Sequence, residues 1–138
     1  MVNRTYNHFK QQLCSGSINL YQDTIKVLLA SGTYVFSQNH KTVNDITSEI
    51  SSSNYSSGGK VISNTSVYLD TISNDVFLSG SNVSFSGITA NVGYGIVYVS
   101  GGSPSTSYLI CQVDLGQTNV SNATYNINWN TSGILGLL

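Results

Sequence analysis

The stretch Val92-Gly93-Tyr94-Gly95-Ile96-Val97-Tyr98-Val99 decides the fold of this chain, because every position is aliphatic, aromatic or glycine. A strand with one face in water alternates apolar and polar residues, whereas this run has no polar face to offer to solvent. It is also far shorter than the roughly 20 apolar residues that a membrane-spanning helix needs. The stretch therefore predicts a central β-strand that is covered on both faces.

Strand patterns also precede this stretch. Alternation predicts one long strand over residues 61–69, with one face formed by Val61, Ser63, Thr65, Val67 and Leu69. A turn at Asn74-Asp75 leads into Val76-Phe77-Leu78, and a second turn over residues 79–82 leads into Val83-Ser84-Phe85.

More strand patterns follow it, after a turn at Gly101-Gly102-Ser103-Pro104. Residues 108–115 form a predicted strand whose core face holds Leu109, Cys111, Val113 and Leu115. The last strand places Tyr125, Ile127 and Trp129 on one face. The apolar tail over residues 134–138 either completes the sheet of this domain or packs on a neighbouring subunit.

The first part of the chain holds the one predicted helix, over residues 4–15, where Tyr6, Phe9 and Leu13 form an apolar stripe that ends before Gly16. Ile18-Asn19-Leu20 follows, and residues 23–29 then form a predicted strand with Ile25, Val27 and Leu29 on one face. Residues 42–50 fit a helical turn with Val43, Ile46 and Ile50 inward, and residues 51–59 fit an exposed loop.

Together these patterns predict a mainly all-β fold, an antiparallel β-sandwich or jelly roll with a short N-terminal helix. We expect residues 1–138 to form a single domain, in which residues 1–16 are the helical N-terminal segment.

The charge content is unusually low. Charged residues make up 8% of the chain, against about 25% in a typical soluble domain. The five cations are scattered and end at Lys60, so the chain lacks the cationic stripe that nucleic-acid binding requires. After Asp75 the one charged side chain is Asp114. A protein with so little charge either stays in solution with a neutral polar surface or packs that surface against other protein.

Targeting and covalent modification give weak signals. The N-terminus lacks the apolar run of a secretory signal, and no stretch predicts a membrane span, so we expect neither membrane association nor export. Asn-x-Ser/Thr triplets are then expected by chance in a chain so rich in these residues. Cys14 and Cys111 are expected to be unpaired, with Cys111 a small core residue, and their role stays open.

No pattern favours catalysis, a metal or a cofactor. His8 and His40 are the two histidines, and we expect both at the surface without an orienting carboxylate. Asp45 and Glu49 have ordinary helical-turn spacing, and Asp70 with Asp75 is too sparse for calcium. We therefore predict a protein that is not an enzyme, with no catalytic, cofactor-binding or metal-binding residues.

Two further residue types matter for packing and binding. Gly93 and Gly95 lie within a strand, where glycine permits close backbone packing or a bulge. Nine tyrosines leave three alternatives: hydroxyls at the edge of the core, anchors in a protein interface, or platforms for sugar rings.

The order of these segments resembles that of a family of small bacteriophage virion proteins. The segments are Phe9-Lys10 with Leu13 and Gly16, Ile18-Asn19-Leu20, residues 23–27, Gly58-Gly59 before Val61, residues 94–99, residues 109–115, and Ile127-Asn128-Trp129-Asn130 with Gly133-Ile134. They span nearly the whole chain, and the resemblance assigns no functional residues.

The resemblance implies a head decoration, or cement, protein. Such a protein stabilises the phage head by bridging shell subunits, so its partner would be the major capsid protein and it would assemble as a homo-oligomer, with a trimer favoured. It would be made in the host cytoplasm and end on the capsid surface of the virion. The alternatives are a tail, fibre or neck component of the virion, or a carbohydrate-binding or adhesion module.

Overall fold

The structure is a computed structural model that describes residues 3–137. It contains eight strands, one helix and two 3₁₀ turns among these residues. The elements are β1 (Asn3–Thr5), α1 (Asn7–Cys14), β2 (Ile25–Ala30), a 3₁₀ turn (Val43–Asp45), β3 (Lys60–Val61), β4 (Ser66–Asp70), β5 (Asp75–Ser79), β6 (Val83–Val99), a 3₁₀ turn (Pro104–Thr106), β7 (Tyr108–Ile127) and β8 (Leu135–Leu137).

The stretch over residues 92–99 is a central strand, as predicted, because it lies in β6 between β7 and β2. The strand predicted at residues 83–85 is continuous with this stretch in β6, which has 17 residues. The strand predicted over residues 108–115 and the predicted last strand are likewise one strand, β7, which has 20 residues and ends before Trp129. Gly87, at φ 64°, and Asn122, at φ 44°, lie where the pairing of β6 with β7 is irregular. At these positions the chain forms β-bulges within continuous strands instead of turns between separate strands. β6 and β7 therefore form one long antiparallel hairpin.

All strands belong to two antiparallel sheets, with orders β1-β7-β6-β2-β3 and β4-β5-β8. The sheets share one core, to which β2, β6 and β7 contribute alongside buried residues of the smaller sheet such as Leu78 and Leu135. Phe9 of the helix joins the same core. The mainly-β class with a short helix is thus confirmed, and jelly-roll connectivity stays a prediction.

The described part of the C-terminal tail, residues 134–137, completes the smaller sheet of this domain. Of the two alternatives for the tail, the structure thus shows packing within the domain for these residues. Leu135 and Leu137 pair with Leu78 and Val76 of β5, and Ile134 is fully buried in the core. Leu138 lies outside the described residues.

The second face of the larger sheet is covered by the chain over residues 31–50. Tyr34 and Ile46 from this segment pack with Leu28, Ile96 and Leu109 in a second, smaller core. The prediction that Leu109 shares a face with Cys111 and Val113 is therefore wrong. The ladder shifts between Val97↔Cys111 and Tyr98↔Leu109, so the bulge at Ile110 turns Leu109 to the opposite face.

The N-terminal segment is only partly helical. The helix begins at Asn7 rather than at residue 4, because Asn3–Thr5 pairs with residues 111–113 of β7 as strand β1. Gly16, at φ 82°, follows the helix as predicted. Residues 18–20 form no strand, and their apolar side chains Ile18 and Leu20 are buried. Residues 1–2 of the predicted helical segment lie outside the described residues.

The single strand predicted over residues 61–69 is also wrong. The chain leaves the larger sheet after β3 and enters the smaller one at β4, with Asn64 at φ 55° between them. The crossing between the two sheets reverses which face of the chain points toward the core. Ile62 from the other face is buried, whereas Val61 and Leu69 are 52% and 65% exposed.

The polar loop over residues 51–59 is exposed, as predicted, and hydrogen bonds anchor it to the rest of the domain. The Tyr55 hydroxyl accepts a hydrogen bond from the Leu29 amide at 3.0 Å and donates one to Glu49 Oε2 at 2.7 Å. The Gly58 amide also donates to Glu49 Oε2 at 2.7 Å, and the Tyr98 hydroxyl donates to the Gly58 carbonyl at 2.5 Å. The turn predicted within residues 42–50 is present as a short 3₁₀ turn, with Ile46 and Ile50 buried and Val43 partly buried.

Gly59 lies against β2 at the end of this loop, and a substitution there tests the packing. A Cβ at Gly59 would lie 1.9 Å from the Val27 carbonyl oxygen, whereas one at Gly116 would meet no atom within 4 Å. The φ angles are nearly equal, 74° and 72°. We expect Gly116→Ala to lower the free energy of unfolding by about 1–2 kcal/mol through backbone strain alone. Gly59→Ala should lower it by about 3 kcal/mol or more.

Urea denaturation followed by circular dichroism measures both values. Equal losses of stability in the two variants would contradict the close contact between Gly59 and β2.

Candidate functional site

Exposed large apolar side chains are concentrated on β3, β4 and the turn that follows. Six such side chains are exposed in the described chain: Tyr21, Val35, Val61, Tyr68, Leu69 and Ile72. Four of them, Val61, Tyr68, Leu69 and Ile72, lie within 12 residues of one another along the chain (61–72), and we call these four the hairpin surface. Ile72 is 94% exposed, which is more than any other residue of this set.

Local hydrogen bonds fix the turn that presents Ile72. Asp70 Oδ1 accepts from the Ile72 amide at 2.9 Å and from the Ser73 amide at 3.3 Å, and Asn74 adopts φ 56°. Such side-chain-to-backbone bonds stabilise tight turns. The turn therefore holds a fully apolar side chain in solvent without disorder in its backbone.

Tyr68 is held as firmly as the turn. Its ring stacks on Phe77 of the neighbouring strand, with ring centroids 5.4 Å apart. Its hydroxyl donates to the Ser132 carbonyl at 2.7 Å. An aromatic side chain that is already ordered loses little conformational entropy when a partner covers it.

β4 is also an edge strand of the smaller sheet, since the order is β4-β5-β8. The outer backbone groups of an edge strand are free to pair with another chain. On the same strand, Val67 lines an apolar groove of about 340 Å³ together with Leu13, Ile18, Tyr21 and Leu137. Exposed apolar side chains, an open strand edge and an apolar groove are features of protein-binding surfaces.

The largest pocket lies elsewhere and is polar. It has a volume of about 510 Å³ and is lined by residues that include Tyr34, His40, Asp45 and Glu49. The Tyr6 and Tyr34 hydroxyls are 2.8 Å apart, and the Tyr34 hydroxyl is 3.0 Å from His40 Nδ1. Burial and the bond to Tyr34 raise the pKa of Tyr6 far above its usual range. These groups thus connect the second core to the pocket wall through hydrogen bonds.

Both histidines are half-buried, so they lie at the surface but with one side packed against the protein. His40 bonds to Tyr34 as described, and His8 Nε2 lies 3.2 Å from the Gln12 side chain. The ring of His8 packs edge-on against Tyr108, with centroids 5.1 Å apart. Packing with aromatic neighbours explains their burial, and spacing along the chain did not indicate it.

The carboxylates considered for chemistry take part in local structure. Asp45 Oδ2 accepts from the Lys41 amide at 2.7 Å and from the Thr42 amide at 3.2 Å, and the bond from Lys41 is the main reason that the pKa of Asp45 is lowered. Glu49 anchors the 51–59 loop. Asp70 and Asp75 stand opposite one another where β4 and β5 join, on the predicted turn. Within residues 3–137, no three His, Cys, Asp or Glu side chains cluster as metal ligands would.

One glycine of the central strand and four of the tyrosines agree with their packing interpretations. A Cβ on Gly93 would lie 2.6 Å from the Gly32 Cα, so this strand position needs glycine for close backbone packing. Tyr6, Tyr34, Tyr55 and Tyr98 have hydroxyl groups that bond at the edge of the core, and burial raises the pKa of Tyr98 to about 12.

The sequence patterns did not identify the hairpin surface. Alternation assigned Val61 and Leu69 to one continuous face without showing that the chain changes sheets between them. The available signal was Ile72, an isolated apolar residue among the polar turn residues Thr71, Ser73 and Asn74.

Comparison with known proteins gave no match to a family model, a curated protein or a solved structure. Among the described residues, no helix has the length and apolar character needed to cross a membrane.

The two cysteines are free, as predicted, and differ sharply in environment. Cys14 is exposed, whereas Cys111 is fully buried and burial raises the pKa of its thiol to about 12. Because the thiolate is the reactive form, we expect iodoacetamide to alkylate the native protein at Cys14 alone. In urea, both cysteines should react. Mass spectrometry of native and denatured samples checks this.

A Cys14→Ser variant serves as the control, since its native form should remain unlabelled. Rapid labelling of Cys111 in the native variant would contradict its position in the core.

Proposed function

We propose that this protein is a structural component of a bacteriophage virion, and that it decorates the head as a cement protein. It contacts the major capsid protein through the hairpin surface and bridges neighbouring shell subunits. The observation that carries the contact is that exposed apolar side chains lie on β4 and in the segments next to it, and that the outer edge of β4 is open. The resemblance in segment order, described above, is what points to the phage particle.

The low charge of the chain supports a role in assembly. A charged surface keeps free proteins apart, and packed copies with neutral polar surfaces avoid like-charge repulsion. β6, β7 and β8 together carry Asp114 as their one charged side chain. Neutral hydrogen-bonding groups such as those of Ser84 and Asn126, whose side chains are 2.5 Å apart, take the place of ion pairs on this surface.

The proposed mechanism is mechanical rather than chemical. Each copy buries apolar surface across more than one shell subunit, so separating those subunits must expose that surface to water again. A small contribution per copy is multiplied over the many sites of a shell. A symmetric homotrimer would place several hairpin surfaces around one axis and strengthen attachment by multivalency.

Removing the apolar side chains from the hairpin surface tests the contact. The double variant Leu69→Asn, Ile72→Asn should bind capsids that lack the protein at least about tenfold more weakly, which corresponds to about 1.4 kcal/mol. Its thermal stability should change little, because the two side chains are 65% and 94% exposed. Co-sedimentation with capsids and thermal denaturation give the two measurements.

Val35→Asn is the matched control, because Val35 is 80% exposed but belongs to the segment that covers the other face of the larger sheet. It should bind like the unaltered protein. Unchanged binding by the double variant, or an equal loss in Val35→Asn, would refute the assignment of the hairpin surface.

Heating particles with and without the protein tests the cement role itself. Decorated heads should retain their DNA to a higher temperature, and equal resistance would exclude stabilisation. Quantitative mass spectrometry of purified particles separates this role from a tail, fibre or neck component. A head protein should be present in a number of copies on the order of hundreds per particle, because the shell repeats the same subunit contacts many times. A tail component should be present in only a few copies.

A further inference from the structure

A small cleft separate from the hairpin surface and from the largest pocket opens beside β1 and β7. It has a volume of about 200 Å³ and is lined by Arg4, Phe36, Tyr94, Gln112 and Asp114. The register explains why these residues meet. Gln112 is the Cα partner of Arg4, and Asp114 is the Cα partner of Tyr94, so the two pairs form adjacent rows on one face of the sheet.

Gln112 is the unusual residue of this cleft. Its side chain is 4% exposed, yet its Oε1 has no hydrogen-bond partner within the described chain. Buried amides in native proteins are nearly always bonded, so an unpaired one points to a missing partner. An amide both donates and accepts, and its two ends exchange by rotation about the last side-chain bond. Gln112 can therefore bond to a ligand group of either kind.

Two aromatic rings form the rigid walls of the cleft. Phe36 packs against Tyr6 with centroids 5.0 Å apart, and Tyr94 packs against Tyr34 at 5.8 Å. Both Phe36 and Tyr94 remain partly exposed. Rings held in this way offer flat apolar surfaces to the C–H face of a ligand.

The charges of the cleft cancel. The Arg4 guanidinium lies over the Phe36 ring, 5.6 Å from its centroid, and Asp114 Oδ1 accepts from the Gly116 amide at 3.0 Å. One cation and one anion favour a ligand without net charge that can accept from the first and donate to the second. Arg4 is exposed, so it can move aside as a ligand reaches Gln112 across the strand pair.

We propose that this cleft binds a single neutral sugar ring. Among small neutral molecules, a sugar combines hydroxyls that donate and accept with an apolar C–H face. Its hydroxyls would bond to Gln112, Arg4 and Asp114, and its C–H face would lie on Tyr94 or Phe36. The site is small and open, so one ring would bind weakly, in the millimolar range, and repeated copies in an oligomer would add avidity.

Titration of the full chain, labelled with ¹⁵N, tests this site. The probes are the methyl glycosides of glucose, galactose, mannose and N-acetylglucosamine, with glycine as a zwitterion of similar polarity. We expect saturable shifts of the backbone amides of Arg4, Phe36, Tyr94, Gln112 and Asp114 with at least one glycoside, and none with glycine. The absence of saturable shifts with every glycoside, shifts confined to other residues, or saturation by glycine would each overturn the proposal.

Variants separate binding from folding. Gln112→Leu should weaken sugar binding about tenfold or more, since the shared hydrogen bonds are lost, while its thermal midpoint stays equal or rises because an unpaired amide is removed. Tyr94→Leu should weaken binding similarly, and it provides a second test if Gln112→Leu does not fold. Gln22→Leu, at an exposed turn residue, is the matched control and should bind normally. Sugar binding that survives in both Gln112→Leu and Tyr94→Leu would refute the site.

Discussion

The pairing of β6 with β7 is the constraint on which the rest of the structure depends. Their ladder runs from Val83↔Ile127 to Val99↔Tyr108 and provides the surface onto which every other layer packs. β1 adds to its β7 edge and β2 to its β6 edge. Because residues 92–99 have no polar face, the chain must cover both sides of this hairpin. The smaller sheet and α1 cover one side, and residues 31–50 cover the other.

Because the smaller sheet covers one face of the larger sheet, it forms an outer layer of the domain. Its inner face completes the main core, so Leu78 and Leu135 are buried. No strand of the described chain pairs with the outer edge of β4, and Leu69 is mostly exposed. The proposed capsid contact uses the edge of the smaller sheet that β4 leaves open.

Hydrogen bonds between uncharged groups hold surface side chains and loops in place, as ion pairs do in more highly charged proteins. Asn91 and Asn119 bond across β6 and β7 at 2.8 Å, and the Trp129 indole donates to the Ser81 carbonyl at 2.9 Å. Tyr55 and Tyr98 anchor the polar loop in the same way. Such bonds hold their geometry with little dependence on salt. The low charge is therefore compatible with a well-ordered surface. Within the described chain, Gln112 Oε1 departs from this pattern of paired polar groups, as do Asn3 Oδ1 and His8 Nδ1.

The sequence by itself determined the mainly-β class, the central position of residues 92–99, the helix around Phe9 and the free state of the cysteines, because these follow from local periodicity and composition. The tertiary structure decided which neighbour covers each face. The bulge at Ile110 reverses Leu109, and the crossing near Asn64 moves the chain from the larger sheet to the smaller one. The hairpin surface and the Gln112 cleft were beyond prediction for the same reason. The two-residue period of a strand predicts which side chains share a face. Register shifts and changes of sheet depend instead on contacts between segments that are distant in sequence.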